Sequence, residues 1–305
     1  MKGYFRIVAL LIFFFVSCGE NANQSDSLRR RIEQIVSNQR AIVGVSIIGK
    51  NGNDTISING DRHFPMQSVF KFHIALAVLS EVDKGNLSLD QEIEVTKGEL
   101  LPEDFWNPLR DEHPEGGRFT IRELIQYAVS HSDNLACDIL IRLIGTPKTV
   151  EGYIKRSGIK DIEITFNEWD MQSKWENMFQ NWTTPKAASA TLQLFYENKE
   201  GLLSESNHDF FWKTNLETTT GKGRIRGDLP NGIEVAHKTG YSGRNKETGI
   251  TAAVNDVGIV FLPNGDCFII SVFITESHED IDVNEKLIAE IAKATFDFYS
   301  ESSIE

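Results

Sequence analysis

Apolar residues recur with the period of a helix from Phe64 onward, in "FPMQSVFKFHIALAVLSEV", where Phe70, Ile74, Ala77, Val78 and Val82 share a face. Helical patterns continue through "TIRELIQYAVS", "DNLACDILIRLIG", "TPKTVEGYIKRSG", "TPKAASATLQLFYENKE" and "NHDFFWKTNLE", to about Thr214. On either side the pattern changes. Before this block, "SLRRRIEQIVSNQ" is an amphipathic helix that Ser27 is placed to cap. "AIVGVSIIG" and "DTISIN" then read as strands joined by the turn "KNGN". After Gly221 strands return in "IEVAHKTGYSG", "GITAAVNDVGIVFLP" and "CFIISVFITES". The chain closes with the helix "VNEKLIAEIAKATFDFYS", in which Leu287, Ile291, Thr295 and Phe298 share a face. Between Asp161 and Asn181 the period is mixed, and a loop of that length inside a domain tends to carry function.

Strands and a helix at each end with helices between is an α+β layout. The first two strands need the last three to complete one sheet, which the terminal helices would cover. The expected division is a sheet domain over 28–62 and 215–305 and an inserted helical domain over 63–214, including the loop 161–181. A cleft is expected where the two meet.

The first residues have another purpose. "MKGYFRIVALLIFFFVSC" places Lys2 and Arg6 ahead of an apolar run from Ile7 to Val16. That run is shorter than the roughly 20 residues of a spanning helix and fits an export signal over 1–17. "FVSC" resembles a bacterial lipoprotein cleavage box, with Phe15 where leucine is usual. The expectation is an exported, periplasmic protein, either lipid-anchored at Cys18 or cleaved nearby without lipid, with residues 18–27 as a polar tether.

Charge narrows the partners. The formal net charge is −13, and removal of 1–17 with Lys2 and Arg6 makes it −15. An acidic protein is a poor partner for nucleic acid or an anionic membrane surface, so membrane attachment would rest on the lipid alone. A monomer is expected. Cys137 and Cys267 lie in apolar contexts, which favours two buried thiols over a bridge. The seven histidines include no His-x-His or His-x-x-x-His pair, so no metal and no cofactor is expected.

Candidate chemistry begins at Ser68 and Lys71, three residues apart on one helical face in an otherwise apolar run. A serine hydroxyl is a weak nucleophile without an adjacent base. Burial disfavours the charged amine, so a neutral Lys71 able to take the serine's proton is expected. Ser-x-x-Lys alone arises by chance about once in a chain of this length. Ser132-Asp133-Asn134 lies between two helices, where it could be a helix cap. Lys238-Thr239-Gly240 lies on a strand, where it could be an exposed edge. All three in this order, on helix, inter-helix loop and strand, form the signature of class A β-lactamases and penicillin-binding proteins.

The chain resembles a class A serine β-lactamase along nearly its whole mature length. "SDNLACDIL", "FQNWTTPKAA" and "GITAAVNDVGIVFLPNG" make it most similar to the Bacteroidetes subgroup that includes extended-spectrum enzymes. The resemblance implies a five-stranded antiparallel sheet flanked by terminal helices, an inserted all-helical domain, and a small-molecule β-lactam as partner. It implies that Ser68 attacks the lactam carbonyl, Lys71 helps deprotonate it, and Ser132 passes a proton to the leaving nitrogen. Asn134 would hold the acylamido side chain and Lys71, with Asp133 structural. Lys238 and Thr239 would hold the substrate carboxylate, and the N–H groups of Ser68 and Tyr241 would form the oxyanion hole. Glu168, in "FNEWDMQ", takes the place of the glutamate that activates the deacylating water; otherwise it is a solvated loop residue. Arg224 corresponds to an arginine that pairs with the substrate carboxylate, or is a surface arginine. Trp106 corresponds to an aromatic gatepost, or is a core tryptophan.

Several positions depart from the family. Phe166 and Asn181 replace an arginine–aspartate pair that often pins the omega loop, Trp169 replaces a proline, and Gln172 replaces an asparagine that helps hold the water. The loop must be fixed in another way, and a wider cavity would suit bulky cephalosporins. Tyr241 is large where small residues are usual. Gln67 and Ser242 lack the cysteines that clamp some carbapenem hydrolysers, so carbapenem activity is not expected. The alternatives are a D-Ala-D-Ala carboxypeptidase of the penicillin-binding type and a non-catalytic lipoprotein that binds β-lactams or muropeptides.

Overall fold

The N-terminal and C-terminal helices lie together on one face of a central sheet. The computed structural model describes residues 17–49, 52 and 54–301. The leader to residue 16, and three of the four residues of the turn expected at 50–53, lie outside the described residues. Along the chain come α1 (Ser17–Val36), β1 (Ile42–Ile48), β2 (Thr55–Ile58) and β3 (Phe64–Pro65), then α2 (Phe70–Asp83), β4 (Glu92–Thr96), α3 (Pro108–Glu112) and β5 (Gly116–Thr120). A helical stretch follows in α4 (Ile121–Ser130), α5 (Asn134–Ile144) and α6 (Pro147–Arg156). Then come β6 (Ile162–Glu163), α7 (Glu168–Gln172), β7 (Trp182–Thr183), α8 (Pro185–Glu197) and α9 (Glu205–Leu216), before β8 (Val235–Tyr241), β9 (Val254–Phe261), β10 (Cys267–Thr275) and α10 (Ile281–Glu301).

The sheet is antiparallel in the order β2-β1-β10-β9-β8, so the two early strands are completed by the three late ones. Val45 pairs with Val272 and Ile47 with Ile270. Alternation along the strands then separates two cores. Val43, Val45, Ile47, Val260, Ile270 and Val272 face α1 and α10 and pack on Leu28, Ile32, Leu287 and Ile291. Ile48, Val257, Ile259, Ile269 and Phe273 face the other way and join the core of the helical region. α8 lies on this second face, where Ser189 Oγ reaches Ser271 Oγ at 2.9 Å and the Ser46 carbonyl at 3.2 Å. That second core runs without a break from the sheet into α2, α4, α5 and α6.

Local signals account for the helix ends. α4 opens on a Thr120–Glu123 capping box, α5 on Asp133, and α8 on Thr184 followed by Pro185 at its first position. α2 is apolar on all sides because it is buried on all sides, from Phe70 through Ser80.

Three expectations change. α1 begins at Ser17, so residues 18–27, read as a tether, are helical, and Ser27 lies inside the helix; no proline interrupts the run. Phe64 and Pro65 form a strand rather than the start of a helix, pairing with β7, which also pairs with β6. β4 and β5 add a two-stranded sheet inside the region read as all-helical. Cys137 is buried and Cys267 half-buried, and both are free thiols. No helix of the described residues is long and apolar enough to cross a membrane.

Candidate active site

Ser68 sits in the 3-10 turn Gln67–Val69 that leads into α2, and Lys71 follows one turn on. Gln67, immediately before the nucleophile, has φ 45°, a conformation that costs a non-glycine residue energy and clusters at functional sites. The turn is held by its surroundings. Gln67 Nε2 donates to the Met178 carbonyl at 2.9 Å, and Asn255 Nδ2 on β9 donates to the carbonyls of Pro65 at 2.8 Å and Met66 at 3.1 Å. Gly240 on β8 lets that strand approach, since a Cβ there would stand 2.4 Å from the Met66 carbonyl oxygen.

Lys71 is fully buried. Its Nζ donates to Ser68 Oγ at 3.0 Å, the Ser132 carbonyl at 2.7 Å and Asn134 Oδ1 at 2.6 Å, and lies 2.9 Å from Glu168 Oε1. Ser68 Oγ in turn donates to the same Glu168 oxygen at 3.2 Å. The expectation of a neutral amine rested on an apolar surrounding. The structure adds a buried carboxylate beside the amine, a partner that the apolar run did not announce.

Ser132 and Lys238 approach from the other side. Ser132 connects α4 to α5 with φ 61°, a second strained residue beside the nucleophile. Asp133 behind it caps α5 through Ala136 N at 2.7 Å and also accepts from Leu109 N at 2.8 Å, a structural role as expected. Lys238, inside β8 and fully buried, donates to Ser132 Oγ at 2.9 Å and to the Thr239 carbonyl at 3.1 Å. Burial pushes its pKa well below the usual lysine range, and the nearby Lys71 charge adds to the effect.

Glu168 comes from α7, a short helix within the loop 161–181. It is buried, not solvated, and its Oε2 accepts from Gln172 Nε2 at 2.8 Å. The loop lacks the usual ion pair, and two other side chains hold it. Asn181, fully buried, accepts from Thr165 N at 2.8 Å and Phe166 N at 2.9 Å and donates to the Phe166 carbonyl at 2.8 Å. Asp138 on α5 accepts from Glu168 N at 2.7 Å and Trp169 N at 3.1 Å. Burial pushes the Asp138 carboxyl up to about 7, the two N–H groups opposing this and the Glu168 charge adding to it. Phe105 and Trp169 stack with centroids 5.0 Å apart, joining the loop to the opposite wall.

These groups open onto a cleft of about 390 Å³ lined by Ser68, Ser132, Asn134, Glu168, Gln172, Arg224, Thr239 and Tyr241, among others. Trp106 lines it, 60% exposed, with Nε1 on the His131 carbonyl at 2.8 Å, so it is not a core residue. Tyr241 ends β8 with its ring exposed. Arg224 is neither on the surface nor free. Its Nε pairs with Glu285 at 2.9 Å, and Nη1 donates to the Gly240 and Asn255 carbonyls at 3.0 and 2.9 Å, while the side chain lines the cleft.

Most of the sequence-predicted site residues line this cleft, and Lys71 and Lys238 are buried behind it against Ser68 and Ser132. Asp138, Asn255 and Thr220 were missed. Asp138 carried a signal: an acid four residues after Asn134, on the same face of an apolar helix. A group of three or more metal-ligating side chains does not occur among the described residues.

Comparison with known proteins agrees with this geometry. Residues 27–299 match the Beta-lactamase enzyme family. The chain is 48% identical to β-lactamase VEB-1 of Pseudomonas aeruginosa, over 98% of this chain and 99% of that protein. The crystal structure of the TLA-3 extended-spectrum β-lactamase superposes with a TM-score of 0.86 at 45% identity, covering 90% of this chain and 98% of that one. A representative class A β-lactamase from Bacteroides cellulosilyticus superposes with a TM-score of 0.85 at 37% identity, covering 91% and 99%.

Proposed function

The chain belongs to the class A β-lactamase family and hydrolyses β-lactams, a resistance activity, and we propose that it does so through an acyl-enzyme on Ser68. The observation that carries this reading is the shared contact of Glu168 Oε1 with Ser68 Oγ at 3.2 Å and Lys71 Nζ at 2.9 Å.

Ser68 Oγ attacks the lactam carbonyl while its proton passes into the Lys71–Glu168 pair. The carbonyl oxygen becomes an oxyanion held by the N–H groups of Ser68 and Tyr241; losing one such donor typically costs about 2.7–4 kcal/mol. The C–N bond then breaks, and the leaving nitrogen takes the proton of Ser132 Oγ, which Lys238 Nζ at 2.9 Å is placed to replace. Once Ser68 Oγ is an ester oxygen it has no proton to donate. When the pair has passed the proton it gained from Ser68 on to refill Lys238, Glu168 is a carboxylate again. Its Oε1 takes a proton from a water as the water oxygen bonds the ester carbonyl carbon. The ester C–O bond then breaks as Ser68 Oγ takes that proton back. Gln172 holds the other carboxylate oxygen. This second step separates the reading from a penicillin-binding carboxypeptidase, which stalls as the acyl-enzyme, and from a non-catalytic binder, which forms none.

Lys238 and Thr239 seat the substrate carboxylate with Arg224 behind them, Asn134 receives the acylamido group, and Trp106 closes the mouth. A loop fixed without the usual ion pair suits cephalosporins as well as penicillins. We infer further that the protein acts as a monomer, exported by its leader to the periplasm and anchored through lipid on Cys18. Labelled palmitate in wild type but not in Cys18→Ala supports the anchor, and equal labelling removes it.

The test of function is turnover of a chromogenic cephalosporin by the purified protein. Multiple turnovers, abolished in Ser68→Ala, support the reading. A single stoichiometric burst by the wild type would leave acylation without hydrolysis.

A further inference from the structure

Three consecutive threonines after α9 are each tied to a different part of the site. Thr218 Oγ1 donates to the His237 carbonyl on β8 at 2.7 Å. Thr219 Oγ1 donates to the Ser130 carbonyl at 3.1 Å, at the end of α4. Thr220 Oγ1 lies 2.6 Å from Thr239 Oγ1, and Thr220 lines the cleft beside it. The next residue, Gly221, has φ +66°, and a Cβ there would stand 2.5 Å from Thr239 Cγ2. Thr239 is thus gripped on both branches, its hydroxyl by Thr220 and its methyl by the space that Gly221 leaves open.

A hydroxyl has one proton and two lone pairs, so in a close pair one member donates and the other accepts. With Thr239 as donor, its proton would be committed inside the protein, and its lone pairs would face an incoming carboxylate. With Thr220 as donor, Thr239 keeps its proton for the substrate, and the chained bonds polarise one another. A carboxylate only accepts, so its arrival selects the second arrangement. Lys238 Nζ commits two of its three N–H groups to Ser132 Oγ and the Thr239 carbonyl, so it has one left for the anion and Thr239 is needed as a second donor.

We propose that Thr220 is a positioning residue for the substrate carboxylate: it donates to Thr239 Oγ1 and so aims the Thr239 proton at the anion. This rests on the acyl-enzyme reading, in which Thr239 seats that carboxylate. The test is steady-state kinetics of wild type, Thr220→Val and Thr220→Ser on a cephalosporin and on its carboxylate methyl ester. Contacts to the anion act on binding and acylation, and therefore on kcat/KM, whereas deacylation follows them. Thr220→Val is expected to raise KM for the acid about tenfold with a smaller change in kcat. It should leave kcat/KM for the ester within about twofold, and Thr220→Ser should restore the acid KM. Unchanged KM for the acid, equal losses on acid and ester, or no rescue by serine overturns the proposal. If Thr220→Val does not fold, Thr220→Ala carries the same expectations. Lack of turnover by the wild type itself would instead remove the reading on which this one rests.

Discussion

Lys71 Nζ lies 2.9 Å from Glu168 Oε1, and both side chains are buried. The pair explains how a lysine is tolerated in a helix buried from Phe70 through Ser80: its counterion arrives from a loop about a hundred residues later. Breaking such a pair by removing one partner typically costs about 3–5 kcal/mol, because the remaining charge is left uncompensated. Lys71→Met and Glu168→Leu should each destabilise, and the double variant should lose less than the two single losses together. A double-mutant cycle in urea measures this; strict additivity would mean that the pair is not coupled.

Asn181 is the second fixed point of the active-site loop. Asn181→Ala strips partners from two backbone N–H groups and one carbonyl at a fully buried position. Each unsatisfied buried group costs about 1–3 kcal/mol, so a fall in Tm of roughly 5–10 °C is expected. Deacylation should slow more than acylation, because Glu168 moves with the loop and Ser68 does not. Pre-steady-state kinetics separates the two rates, and equal slowing would count against the loop's role.

Asp138 makes stability depend on pH in a defined direction. Its carboxyl is raised to about 7, above the ordinary aspartate value near 3.9. Between these values the folded state holds a proton that the unfolded chain releases. The associated stability is complete below about pH 4 and is lost as pH rises through about 7. Asp138→Asn removes this contribution, so its Tm should change less than that of wild type between pH 5 and pH 8. Parallel Tm–pH curves would show that Asp138 is not the source.

Lys238 predicts the alkaline limb of activity. Its pKa is depressed by burial, so the charge that attracts the substrate carboxylate is lost at a lower pH than a solvent lysine would lose it. KM is expected to rise with pH, and to do so at lower pH than the titration of a solvent-exposed lysine would give. In Lys238→Arg, which stays charged, that rise should move to higher pH even if kcat falls. A KM profile unchanged by the substitution would exclude Lys238 as the titrating group.

The parts of the protein legible in its sequence are those whose signal is local. Ser68 and Lys71 sit one helical turn apart, and each of the two tripeptides presents its chemistry in contiguous residues. The five strands of the main sheet announce themselves by β-branched residues. By contrast, β3, β6 and β7 have two residues each, too few to show a period. The fastening of the loop by Asn181 and Asp138 depends on polar side chains reaching distant backbone, which no spacing rule reports. Thr220 was hidden for the same reason, since it lies in the loop after α9 and its partner Thr239 is on β8. Arg224 lines the cleft, and Glu285 on the closing helix, which takes its Nε, was out of sight in the sequence. Lys71 shows the limit most clearly: its burial was legible and its counterion was not.

The central claim is that one carboxylate divides the reaction into a step it assists and a step that depends on it. Intact mass spectrometry of Glu168→Ala mixed with a cephalosporin tests this directly. The account predicts a long-lived covalent adduct on Ser68 in the variant and only transient adduct in wild type. No adduct in the variant, or turnover at the wild-type rate, would contradict it.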